Sequence, residues 1–181
     1  LLIIDGNSLV NRAFYALPLL SNKDGVYSNA VYGFANILIK FIIEQKPDYI
    51  CVAFDHSRHT FRTEMYNDYK GNRKQMPNEL RCQLPILKDM LSKMNIKIFE
   101  IEGIEADDII GTVSKNSGLN NIILSGDRDV LQLIDDKTQV WLTKKGISDV
   151  VKVDNDNMQV LFGFNPSQVI DMKSLMGDSS D

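Results

Sequence analysis

The sequence predicts an α/β fold, a mostly parallel sheet flanked by helices, and three observations predict it. Short continuous apolar runs at Leu1–Ile4, Tyr49–Phe54 and Asn121–Leu124 have the character of strands buried on both faces. Segments with apolar residues at helical spacing lie between such runs. Three of the runs end at or just before an aspartate, Asp5, Asp55 and Asp127. Strands alternating with helices give parallel pairing.

The elements follow in order. Leu1–Ile4 is a strand ending in Asp5-Gly6-Asn7-Ser8. Ser28 or Asn29 can cap a long helix reaching about Gln45, with Val31, Phe34, Ile37, Leu38 and Phe41 on one face. Lys46-Pro47-Asp48 stops it. Tyr49–Phe54 is the next strand. Pro85–Met94 reads as a helix, Lys97–Ile101 as a strand, and Glu105 to about Asn116 as a helix. Asn121–Leu124 and Val140–Leu142 are strands, and Lys144-Lys145-Gly146 turns into Val150–Val153. Met158–Phe162 and Ser167–Leu175 are helical, with Pro166 at a helix start. No repeat, low-complexity tract or linker interrupts the chain, so residues 1–181 read as a single domain.

The chain has 181 residues, enough to bury a real core. No apolar run approaches the roughly 18 residues of a membrane span. Cys51 and Cys82 offer no disulfide framework and read as free thiols in a reducing cytoplasm. The chain opens on Leu1-Leu2-Ile3-Ile4 without methionine, so residues before Leu1 are expected. The net charge of −4 counts against a nucleic-acid partner at first sight. However, nine of the 24 acids fall in compact motifs: Asp5, Asp55, Glu105, Asp107, Asp108, Asp127, Asp129, Asp178 and Asp181. The remaining 15 acids face 20 bases, a balance of +5. Excess acid gathered at one place calls for cations there.

In an open parallel sheet, ligands bind beyond the carboxyl ends of the strands. Asp5, Asp55 and Asp127 stand at three such ends. Any one alone reads as a turn former or helix cap; three together repel unless cations neutralise them. Glu105-Ala106-Asp107-Asp108 opens a helix, with Glu105 and Asp108 sharing a face. First-turn acids suit the helix dipole, yet three in four residues exceed what capping needs. Asp127 and Asp129 are two apart, and Asp178 and Asp181 three apart. Hard oxygen ligands suit Mg²⁺ or Mn²⁺, and no His or Cys cluster suggests zinc. His56 and His59 have no partner motif and read as solvent-exposed or phosphate-contacting. Carboxylates around two cations about 4 Å apart are the apparatus of metal-assisted phosphodiester hydrolysis.

Arg58 to Arg81 carries six bases (Arg58, Arg62, Lys70, Arg73, Lys74, Arg81) against three acids, with Phe61, Tyr66 and Tyr69 interleaved. Bases contact phosphates and aromatics stack on unpaired bases of a single strand. A solvated pair of surface helices would show the same composition. The position directly after Asp55 favours the nucleic-acid reading.

Six motifs now stand in order: Asp5-Gly6-Asn7-Ser8 with Arg12-Ala13; Ala53-Phe54-Asp55; Arg62 with Tyr69-Lys70-Gly71-Asn72-Arg73; Gly103 to Gly111; Gly126-Asp127-Arg128-Asp129 to Leu133; and Met176-Gly177-Asp178-Ser179-Ser180-Asp181. Together, over essentially the whole chain, they resemble the 5′→3′ exonuclease (5′-nuclease) domain family of bacterial DNA polymerase I, relatives of the flap endonucleases. The resemblance implies a PIN-like fold with a helical arch and cleavage near 5′ ends at flaps, nicks and gaps, in primer removal and repair. It implies that Asp5, Asp55, Glu105 and Asp107 surround a first metal ion and Asp127, Asp129 and Asp178 a second, with Asp108 and Asp181 in either shell. Lys70 and Arg73 would contact the scissile phosphate as catalytic residues, Tyr69 would stack on a base, and Arg12 and Arg62 would also bind DNA. It further implies a monomer, a following polymerase domain, and a helix–hairpin–helix element beyond the last acidic motif, before which this chain stops. The connection Lys115-Asn116-Ser117-Gly118 is shorter than the family leads one to expect.

Other readings use fewer of these residues. A haloacid-dehalogenase-like phosphatase would use Asp127/Asp129 and Gly177–Asp181, but has Leu131 where its pattern needs Thr or Val, and it leaves Asp5, Asp55 and Glu105–Asp108 idle. A ribonuclease of the broader PIN class does not call for the basic segment. A DNA-junction-binding module, inactive as this fragment, would make the nine acids structural.

Overall fold

A computed structural model describes residues 1–56, 60, 62, 65, 75–144, 146 and 149–177. The chain runs β1 (Leu2–Asp5), α1 (Gly6–Ala16), α2 (Asn29–Gln45), β2 (Ile50–Ala53), α3 (Asn78–Arg81), α4 (Gln83–Lys93), β3 (Lys97–Phe99), α5 (Ala106–Asn116) and β4 (Asn121–Ser125). A 3₁₀ turn (Asp129–Leu133), β5 (Thr138–Thr143), β6 (Val150–Val153), α6 (Met158–Phe162), a second 3₁₀ turn (Pro166–Gln168) and α7 (Val169–Met176) follow. The six strands form one sheet in the order β3-β2-β1-β4-β5-β6. All neighbours pair in parallel except β5 and β6. Strand order reverses direction between β1 and β4, which opens a crevice at their carboxyl ends. Among the described residues no helix is long and apolar enough to cross a membrane.

Side chains alternate faces along a strand. Leu2, Ile4, Val52 and Leu124 therefore pack with α1, α2 and α4 on one side, while Ile3, Cys51, Ala53 and Ile123 pack with α5 and the C-terminal helices on the other. The face read for α2 holds: Phe34, Ile37, Leu38 and Phe41 are buried, and Val31 is half-buried against them. Burying each such side chain contributes roughly 1.5–3 kcal/mol. Cys51 is buried, Cys82 exposed, and both are free.

Three local expectations need correction. The sequence reading gave no helix after Asp5, yet α1 begins there directly, with Leu9, Val10, Ala13 and Phe14 buried. Its Gly6 is required by a close approach: a Cβ there would lie 2.5 Å from the Phe54 ring. Secondly, neither Ser28 nor Asn29 caps α2 with its side chain. The fully buried Gln83 does so from α4, its Oε1 accepting from Ala30 N at 2.8 Å and Val31 N at 3.3 Å. Asn29 is turned inward, donating to the Phe14 carbonyl and accepting from Gln83 Nε2. Thirdly, α4 starts at Gln83, two residues before Pro85, which the first helical turn tolerates because its amide has no intrahelical partner.

Candidate metal centre

The carboxyl ends of β1, β2 and β4 bring three of the sequence-selected acids into one neighbourhood. Asp5, the last residue of β1, is 4% exposed and caps α1. Its Oδ1 accepts from Ser8 N at 2.9 Å and its Oδ2 from Ser125 Oγ at 2.6 Å. Burial pushes its carboxyl up to about 6; the Ser125 and Ser8 hydrogen bonds hold it back, and the charges of Asp55 and Asp127 add to the rise. Asp55 follows β2. Its Oδ1 accepts from Ala106 N, the first amide of α5, at 2.7 Å, and its Oδ2 accepts from Asn7 Nδ2. Asp127 sits in the turn after β4, where Ser125 Oγ accepts from its amide at 2.9 Å and its Oδ1 accepts from Asp129 N at 2.9 Å.

A cavity of about 480 Å³ opens beside this group, lined by Glu105, Asp107, Asp108, Asp129 and Arg62. Glu105 is the N-cap residue of α5 by backbone geometry and is itself buried, with Thr60 Oγ1 3.4 Å from its Oε1. The guanidinium of Arg62 grips Asp108 with two hydrogen bonds, both 2.7 Å, and its Nη1 lies 3.4 Å from Glu105 Oε2. Asp129, also in the lining, forms an ion pair with Lys173 of α7.

Seven of the nine selected acids thus lie at or beside the crevice. Asp178 and Asp181 lie outside the described residues, as do Tyr69, Lys70 and Arg73, and with them Arg58, His59, Phe61, Tyr66 and Lys74. Among the described residues, no three Asp, Glu, His or Cys side chains form a ready-made metal cage. The reason is visible: Asp5, Asp55, Asp108 and Asp129 are each taken up by protein donors. The donor set nevertheless suits a hard divalent cation, since it is all carboxylate oxygen. Burial, with a smaller push from the charges of Asp55 and Asp127, makes the Asp5 carboxyl harder to ionise, and a cation beside it would reverse that.

Arg12 lies across the same crevice. Its Nη1 donates to the Lys144 carbonyl, while its Nε and Thr143 Oγ1 are buried without a protein hydrogen-bond partner. With Ser8, Asn11, Tyr15 and Gly146 it lines a second cavity of about 430 Å³. Gly126 permits this packing: its N donates to Ser8 Oγ at 2.8 Å, and a Cβ there would meet Ser8 Oγ at 2.8 Å and Thr143 Oγ1 at 2.9 Å. Arg62, read from sequence as a DNA contact, pairs with the cleft acids Asp108 and Glu105. Sequence reasoning passed over Asn7, Ser8, Ser125 and Lys173 as contributors to the site. Asn7 and Ser8 sit in a motif already singled out and Ser125 directly abuts one, which was the available signal; Lys173 had none.

The chain matches the family model for the 5′-3′ exonuclease, N-terminal resolvase-like domain over residues 1–163. It is 49% identical over 184 residues to DNA polymerase I of Bacillus subtilis (strain 168) and 45% identical over 184 residues to that of Bacillus caldotenax. Each alignment takes in 100% of this chain but 21% of the relative, so the chain spans about a fifth of those polymerases. Among solved structures, T5 5′-exonuclease with bound zinc superposes with a TM-score of 0.77 at 23% identity, covering 100% of this chain and 68% of that one. The catalytic core of Rad2 in complex with DNA superposes at 0.62 and 14% identity, covering 98% and 53%. Both likenesses establish the PIN-like fold.

Proposed function

The chain belongs to the 5′-3′ exonuclease N-terminal resolvase-like domain family, and from that premise we propose that it is a divalent-metal-dependent 5′-nuclease acting on DNA phosphodiesters at 5′ ends, flaps, nicks and gaps. One observation carries the reading. Asp5, Asp55 and Asp127 stand at the carboxyl ends of three adjacent strands, with Asp5 buried and its acidity suppressed. Removing carboxylates from water costs several kcal/mol per ion, and a fold retains that cost where a cation offsets it.

Asp5, Asp55, Glu105 and Asp107 would hold one Mg²⁺ or Mn²⁺, and Asp127, Asp129 and Asp178 a second, with Asp108 and Asp181 in either shell. Ions so bound supply Lewis acidity to a phosphoryl oxygen and offset charge on the leaving oxygen. The chain's own groups bind and orient. Arg12, a guanidinium lining the second cavity beside Ser8 and Asn11, suits a backbone phosphate. Lys70 and Arg73 would meet the scissile phosphate, and Tyr69 would stack on a base. Asn7 and the α5 amide of Ala106 orient Asp55, and Ser125 orients Asp5. The polymerases among its relatives support a covalently linked polymerase domain; a place in primer removal and repair, in the cytoplasm, belongs to the same proposal.

A labelled 5′-flap tests the reading. Cutting that needs Mg²⁺ and stops in EDTA is expected. A flap bound but left intact at every Mg²⁺ or Mn²⁺ concentration would replace the nuclease with a junction-binding module.

A further inference from the structure

Four acids, Glu105, Asp107, Asp108 and Asp129, line the acidic cavity together with Arg62, and Lys173 from a distant part of the chain pairs with one of them. Arg62 presents two nitrogens to the two oxygens of Asp108, each at 2.7 Å, and reaches Glu105 at 3.4 Å. Lys173 pairs with Asp129 from α7. A carboxylate that accepts two guanidinium bonds has turned toward arginine the same lone pairs that a hard cation would take. The two claims on those oxygens are therefore competitive. The pairs are partly open to solvent, with side-chain exposures of 33% for Arg62, 31% for Asp108, 32% for Lys173 and 29% for Asp129. Either cation can leave its acid without being stranded in a dry interior.

We propose that Arg62 and Lys173 are built-in counter-ions of the cleft, which a divalent ion displaces on loading, so that metal entry hands both side chains to an incoming phosphate. The inference rests on the metal-dependent reading above. It makes Arg62 and Lys173 positioning residues whose partner changes with occupancy. Without metal they relieve the repulsion among the four acids. With metal the acids are neutralised by the ion, and a guanidinium and an ammonium become available to a strand lying across the cleft.

The experiment is titration of Mn²⁺ alone, by calorimetry, into the wild-type chain and the variants Arg62→Gln and Lys173→Gln. Removal of a competitor should tighten Mn²⁺ binding at least threefold in each variant, with Arg62→Lys in between. Equal or weaker binding in both variants would overturn the inference and make the two cations plain structural braces. A second readout needs no mutant to fold: the Arg62 Nε–H resonance of the wild type should shift on adding Mg²⁺, with the same midpoint as binding. A resonance that stays in place while Mg²⁺ binds overturns the exchange. Absence of any Mn²⁺ or Mg²⁺ binding by the wild type brings down the nuclease reading and this inference together. Wild-type binding without tightening in the variants brings down only the latter.

Discussion

Replacing Asp5 by Asn isolates the electrostatic cost of the site. In the metal-free protein the Asp5 carboxyl is raised from its ordinary 3.8 to about 6, chiefly by burial. A carboxyl whose folded pKa lies above its unfolded one stabilises the fold only while protonated. Its contribution is complete below about pH 4, fades as pH rises through about 6, and is absent beyond. Two pKa units correspond to about 3 kcal/mol. Asn keeps an oxygen for the Ser8 amide and cannot ionise, but it disturbs the Ser125 hydroxyl, which now donates to Asp5 Oδ2. That loss subtracts about 1 kcal/mol. Asp5→Asn in EDTA at pH 7.5 should thus be about 1–3 kcal/mol more stable than wild type, and the advantage should vanish near pH 4. Urea unfolding followed through the sole tryptophan, Trp141, packed edge-on against Phe41 at 5.3 Å, measures this. A variant less stable than wild type at pH 7.5, or two proteins with the same pH slope between 4.5 and 7, would refute the reasoning.

Further outcomes can be stated from the same geometry. Asp107→Ala and Asp127→Ala should each reduce Mg²⁺-dependent flap cutting at least 100-fold while leaving the far-ultraviolet circular dichroism unchanged; turnover within a factor of a few of wild type would contradict their assignment as ligands. Gly126→Ala places a methyl group 2.8 Å from Ser8 Oγ, so it should cost about 1–3 kcal/mol in urea unfolding, and an unaffected midpoint would mean the contact relaxes freely. Lys70→Ala should slow cutting and lower the salt dependence of flap binding by about one unit of slope, and an unaltered slope would place Lys70 off the substrate path.

The strands were legible because burial on both faces leaves continuous apolar runs, and the acids were legible because they crowd into short motifs at the strand ends. Helix α1 was not, for a physical reason: Asp5 is at once the last residue of β1 and the N-cap of α1, so no turn residue punctuates the boundary. The cap of α2 was equally hidden. It is a glutamine 53 residues away from the amide it bonds, and only the packed fold brings it there. The ion pairs of Arg62 and Lys173 belong to the same class. Local spacing reports which residues carry charge, whereas the partner of each charge is decided by tertiary geometry. Strand order is likewise absent from periodicity, since each run would read the same at any place in the sheet.

The close approach of Gly6 to the Phe54 ring makes the side-chain size allowed at one position depend on the other. Phe54 precedes Asp55, and Gly6 follows Asp5, so this close approach lies directly beside two of the cleft acids. A larger residue at position 6 is admissible only alongside a smaller one at 54. Homologues that drift at one of these sites should therefore drift at both, and a swapped pair should tolerate exchange where either single change fails.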